Sequence, residues 1–196
     1  MSNNLFKKII LFLTIFIVAG LLFSHKTQAA SFFITPSSQS VNTGSSFSLV
    51  VKINTESKYI NNAEGIISYP SDLVEVVSIS KANSIFNLWV TEPVNSATSG
   101  TISFNGGVKN PGFVGSSGTV FSVNFKAKKS GVVNFSFSNH SIRENDGLGT
   151  NILTGQSGAF VNIVAAPIKE APIVETTENY PVNNTATSSA WLGRLN

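Results

Sequence analysis

The sequence predicts an all-β fold, a nine-stranded antiparallel β-sandwich, on three observations. Between Ser31 and Ala165 apolar residues alternate with polar ones at period two, turn-forming residues recur between these runs, and no stretch carries a helical period. The run over 120–128 is the clearest. Phe121, Val123, Phe125 and Ala127 alternate there with Ser122, Asn124, Lys126 and Lys128, so one face meets a core and the other meets water. Phe47, Leu49, Val51 and Ile53 repeat the pattern, as do Val133, Phe135 and Phe137 against Asn134, Ser136 and Ser138. Further strands are expected over 32–35, 63–69, 73–80, 85–91, 101–105 and 159–164. Asn42-Thr43-Gly44, Tyr69-Pro70-Ser71-Asp72, Ser99-Gly100, Asn110-Pro111-Gly112 and Asp146-Gly147 separate them with residues that supply positive φ, fixed φ or local side-chain bonds. Nine short strands joined in this way fit two packed sheets.

The two ends of the 196-residue chain read differently. Lys7 and Lys8 precede an apolar run over 9–23 broken only by Thr14 and Gly20, and Thr27 and Ala29 place small residues before a cleavage site at Ala30. That run is shorter than the ~20 residues of a spanning helix, so a removable secretory leader over 1–29 is the expectation and an uncleaved anchor the alternative. The mature protein is then secreted or held at a cell surface, with no membrane insertion. After residue 165, Pro167, Pro172 and Pro181 stand among Glu, Thr, Asn and Ser, the composition of a linker or disordered tail over 166–196. One domain over 30–165 remains.

Composition narrows the function. Of 13 basic residues, Lys7, Lys8 and Lys26 leave with the leader, and the remaining 10 balance 10 acidic ones. A neutral chain argues against nucleic acid, which needs clustered Lys and Arg; Lys126, Lys128 and Lys129 are read as a solvated strand end that guards an edge. The absence of cysteine excludes disulfides, thiolate metal sites and thiol nucleophiles. Catalysis has little to use. The domain holds one histidine, His140, and the acids Glu56, Glu64, Asp72, Glu75, Glu92, Glu144 and Asp146, with no catalytic spacing among them. His140 reads as an exposed strand-end residue. Residues 144–151 offer calcium-type oxygen donors, but they lack alternating acidic ligands and an Asp-Gly hairpin turn is expected there, with calcium the alternative. Trp89, Tyr59 and Tyr69 are the aromatics that could stack on a sugar ring, and Trp89 is expected to pack against the core.

The order of segments resembles the cohesin domain. The residues that carry the likeness are Ile60-Asn61-Asn62-Ala63-Glu64-Gly65-Ile66-Ile67-Ser68-Tyr69 leading into Leu73-Val74-Glu75-Val76-Val77, then Gly100-Thr101-Ile102-Ser103-Phe104, Gly118-Thr119-Val120-Phe121 and Gly131. The resemblance implies a jelly-roll sandwich without an active site that binds a dockerin-like domain, as a monomer and with no cofactor, in an extracellular assembly of the polysaccharide-degrading kind. It also implies that Asn62 and Glu64 match the Asn and Asp that grip dockerin in the family. Two places depart from the family: Pro70-Ser71 follows Tyr69 where Asp-Pro is usual, and Asn105-Gly106-Gly107 replaces an acidic residue. The candidate binding residues are therefore Asn62, Glu64, Ser68, Ser103 and Asn105, on a polar face that would also suit a polysaccharide.

Overall fold

The computed structural model describes residues 30–167 together with Lys7. The expected leader and tail lie outside the described residues, apart from Lys7, Ala166 and Pro167. The chain divides into two units, Met1–Ala166 and Pro167–Asn196, and the sandwich lies in the first.

Period-two alternation becomes eleven strands: β1 (Ala30–Thr35), β2 (Ser38–Asn42), β3 (Ser46–Asn54), β4 (Ile60–Ser68), β5 (Val74–Ser80), β6 (Leu88–Ser96), β7 (Thr101–Gly107), β8 (Gly118–Ala127), β9 (Gly131–Glu144), β10 (Leu153–Ser157) and β11 (Ala159–Val164). One sheet runs β10-β1-β3-β8-β5 and the other β2-β11-β9-β4-β7-β6. The sandwich stands as expected, with two strands more than nine. Both additions, β2 and β10, are sheet edges that pair in parallel with β11 and β1. Each carries a single large aliphatic residue, Val41 or Leu153, so a backbone ladder rather than an apolar stripe defines it. β6 begins three residues later than expected because Phe86 turns into the core instead. It runs through Pro93, which an edge strand tolerates because one side of its ladder is open.

Aromatic rings close the space between the sheets. At one end Phe125 of β8 lies 5.5 Å from Phe47, 5.0 Å from Phe135 and 5.5 Å from Tyr69 between ring centroids. At the other, Phe32 stacks on Phe137 at 5.2 Å and meets Phe104 edge-on at 5.8 Å, and Phe104 reaches Phe121 at 5.2 Å. These contacts join β1, β3 and β8 of one sheet to β7, β9 and Tyr69, just past the end of β4, of the other. Burial raises the Tyr69 phenol pKa, and its hydrogen bond to Asn95 Oδ1 at 2.5 Å works in the opposite direction.

The long strand β9 changes phase midway. Its register with β4 slips between Glu64 and Ile66, and Asn139 sits there at φ 44°. One extra residue in β9 is thereby accommodated as a bulge, so Phe137 before it and Ile142 after it both face the core. His140 is accordingly not an exposed strand end. Its ring lies 6.2 Å from Phe32 and 6.3 Å from Phe137, and its Nδ1 is buried without a hydrogen-bond partner. Opposite it stands Gly65, where a Cβ would approach His140 Cβ and Phe104 Cζ to 3.2 Å.

The loop after β9 is tied by Asp146. Its carboxylate accepts from the Thr150 hydroxyl and from the backbone N–H groups of Leu148 at 2.9 Å and Gly149 at 2.8 Å. Both oxygens thus serve the loop itself. Among the described residues no three His, Cys, Asp or Glu side chains are grouped as a metal site. The bond from Thr150 leads the effects that hold the Asp146 pKa down at about 2, against burial acting upward.

Two outcomes follow from this packing. Phe125→Ala should cost ~3–5 kcal/mol of folding stability, read from urea unfolding, because the ring is buried among three others. A depressed acid pKa means that the contribution of Asp146 is present above the unfolded value and lost as pH falls through the folded one. Carbon-detected NMR titration should place the Asp146 midpoint at about 2, and Thr150→Val should raise it toward the ordinary value.

Candidate functional site

Register fixes which side chains share the outer face of the six-stranded sheet, because residues directly opposite across a ladder point the same way. On β4 the inward set is Ala63, Gly65 and Ile67, leaving Asn62, Glu64, Ile66 and Ser68 outward. β7 sets Gly107, Asn105, Ser103 and Thr101 opposite these four in turn. On the far side of β7, β6 adds Leu88, Thr91, Val94 and Ser96. On the other flank β9 contributes Arg143, Ser141, Ser138 and Ser136. These positions form a lattice of hydroxyls, amides and aliphatic groups with one acid, Glu64, and one base, Arg143.

A hydrogen-bonded chain crosses its middle. Asn62 Nδ2 donates to Asn105 Oδ1 at 2.8 Å and to the Gly106 carbonyl at 3.0 Å. Asn105 Nδ2 donates in turn to Glu64 Oε2 at 3.0 Å. Glu64 Oε1 accepts from Ser141 Oγ at 2.9 Å and lies 3.6 Å from the Arg143 guanidinium. Each amide is oriented by its neighbour, so the donors and acceptors keep fixed positions before anything binds. Beneath them Gly106 leaves no room for a side chain: a Cβ there would fall 2.3 Å from Phe86 Cδ2. Beside the chain lies a depression of about 290 Å³ walled by Glu64, Ile66, Thr91, Ser103, Asn105 and Asn139.

Of the residues expected from sequence, the structure joins Asn62, Glu64 and Asn105 by direct bonds and sets Ser103 in the wall of the same depression. Ser68 shares the face but stands at its far end, opposite Thr101 and Ser136. Ser141 and Arg143 escaped the sequence reading because the expected strand stopped near Ser138, and the bulge reverses the alternation beyond it. Leu88, Thr91 and Val94 are not legible because the strand expected over 85–91 stops short of Val94 and the register of β6 shifts twice against β7. Trp89 packs edge-on against Phe86 at 5.4 Å, Tyr69 is buried, and Tyr59 alone of the three sugar-stacking candidates is exposed.

Comparison with known families matches the cohesin domain over residues 32–143. Among solved structures the chain is similar to the OlpC cohesin of Clostridium thermocellum in its complex with Doc435, at 14% identity and TM-score 0.61, covering 70% of this chain and 95% of that one. It is similar to the seventh ScaB type I cohesin of Pseudobacteroides cellulosolvens at 19% identity and TM-score 0.58, covering 73% and 97%. A non-cellulosomal cohesin of the hyperthermophilic archaeon Archaeoglobus fulgidus is similar at 18% identity and TM-score 0.55, covering 70% and 92%. At such identities the likeness to these structures is one of fold. A search of curated proteins found no match. The family match itself spans more than half of the chain and takes in β4, β7 and the bulged strand β9, ending before β10 and β11, and on that ground the chain belongs to the cohesin domain family.

Proposed function

We propose that this protein is a non-catalytic extracellular module that captures a dockerin-type domain on the outer face of β9, β4, β7 and β6. The observation that carries the reading is the pre-oriented Asn62, Asn105 and Glu64 chain on an open strand surface. Such a face suits a protein surface better than a small molecule, because its depression of about 290 Å³ falls just short of the ~300–1,000 Å³ of sites that bury most of a ligand. Two relatives of the same fold, the OlpC and OlpA cohesins of Clostridium thermocellum, are described in complexes with dockerins. Export is supported by the leader expected over 1–29, and a proline-containing tail after residue 165 suits a module held at a distance from a larger assembly, such as a polysaccharide-degrading one. Direct capture of polysaccharide draws less support. Of the three aromatics considered for ring stacking, only Tyr59 is exposed, and it lies on a loop outside the four-stranded lattice.

Asn62→Ala combined with Glu64→Ala removes two members of the chain. Calorimetry with a dockerin partner should show affinity weakened by about tenfold or more, since each net hydrogen bond contributes ~0.5–1.5 kcal/mol, while the urea midpoint stays near that of the parent. Undiminished affinity would take both residues out of the site. Retention of the protein on insoluble polysaccharide in the absence of any dockerin would favour the glycan reading instead.

A further inference from the structure

We propose that Arg143 sets the specificity of this face: by pairing with Glu64 it leaves the surface without net charge and so selects a partner domain whose contact surface is uncharged. The inference rests on the dockerin-capture reading above and adds the chemistry of the partner to it.

Arg143 stands beyond the bulge of β9, opposite Asn62. Its guanidinium is held at two points, with one nitrogen 3.6 Å from Glu64 Oε1 and the other donating to the Gly149 carbonyl at 3.2 Å. That carbonyl belongs to the loop tied by Asp146, whose carboxylate accepts the Gly149 N–H at 2.8 Å. The cation is therefore placed, not free to swing away from the acid. Both side chains are partly exposed, at 44% and 36%, and pairs of that kind contribute only ~0–1 kcal/mol to folding. Their larger effect is on charge. Among the residues in register across β9, β4, β7 and β6, Glu64 is the one acid and Arg143 the one base on the outer face, and Glu92 of β6, which falls in a register shift, is itself paired with Lys81 at 2.5 Å. The outer side of the opposite sheet is different, with Lys52 on β3 and with Glu75 of β5 facing Lys126 of β8.

A charged partner side chain brought onto the lattice would lose hydration and find its natural counter-ion already engaged. Hydroxyl and amide groups would meet Thr91, Ser103 and Asn139 around the depression, and aliphatic groups would meet Leu88 and Val94, which are 59% and 54% exposed. Removing the guanidinium leaves the Glu64 carboxylate uncompensated, and the face then favours a basic partner. Removing the carboxylate does the reverse.

The test is a displayed library of dockerin modules, randomised at their partner-facing positions, sorted against the full chain and against its Arg143→Gln and Glu64→Gln variants. The parent should enrich Ser, Thr, Asn, Gln and aliphatic residues, with a Kd that changes by less than about twofold between about 50 and about 500 mM NaCl, because unpaired charges are what salt screens. Arg143→Gln should enrich Lys and Arg and bind about tenfold more weakly at the higher salt, and Glu64→Gln should enrich Asp and Glu. Should one variant fail to fold, the other still decides. Enrichment of Lys and Arg by the parent, or the same enriched set for parent and variants, overturns the role of Arg143 alone. A library that yields no binder to the parent overturns the dockerin reading and this inference with it.

Discussion

The close approach of His140 to Gly65 is the constraint on which the binding face depends. β9 must bury Phe137 and Ile142 in one core although an odd phase separates them, and the bulge at Asn139 and His140 supplies the missing residue. A bulge needs room on the partner strand, and Gly65 provides it: even one methyl group there would press on His140 and Phe104. Because the phase reverses at this point, Arg143 emerges on the outer face beside Glu64, and Ser141, itself buried, turns its hydroxyl to the Glu64 carboxylate. A glycine on one strand thus determines which side chains a partner would meet on another.

The core below keeps that face in place. Aromatic rings from both sheets interlock at two ends of the sandwich, and without cysteine the domain relies on this apolar burial for its stability. Phe86 and Gly106 fit against each other directly under Asn105, so the strand that carries the amide has little freedom to shift. Above it, each polar group is oriented by the next, from Asn62 through Asn105 and Glu64 to Ser141. Rigidity of this kind lowers the entropy lost on binding and concentrates specificity in a few fixed donors and acceptors.

Much of the fold was legible in the chain because most strands bury one face, and burial imposes period two. The runs around Phe121 and Phe47 announce themselves for that reason. β2 and β10 do not, since they bury little and exist through backbone pairing with a neighbour. The same difference governs the site. Asn62, Glu64 and Asn105 follow from the family resemblance, and Ser68 and Ser103 from the polar sheet face that it implies. Arg143 and Ser141 lay behind a bulge that nothing in Asn139-His140 signals, so alternation counted forward from Phe137 assigns them to the wrong sides. His140 was misread on the same account. Ser68 shares the outer face, yet position along the strand separates it from the bonded chain.

The central claim is that partner capture occurs on the lattice of β9, β4, β7 and β6. NMR chemical-shift mapping of the intact chain on addition of a dockerin module tests it most directly. The account predicts that the largest shifts fall on the side-chain amides of Asn62 and Asn105 and on Thr91, Ser103 and Arg143, with the opposite sheet unaffected. Shifts confined to Lys52, Ser122, Asn124 and Lys126 would place the partner on the other side of the sandwich and contradict it.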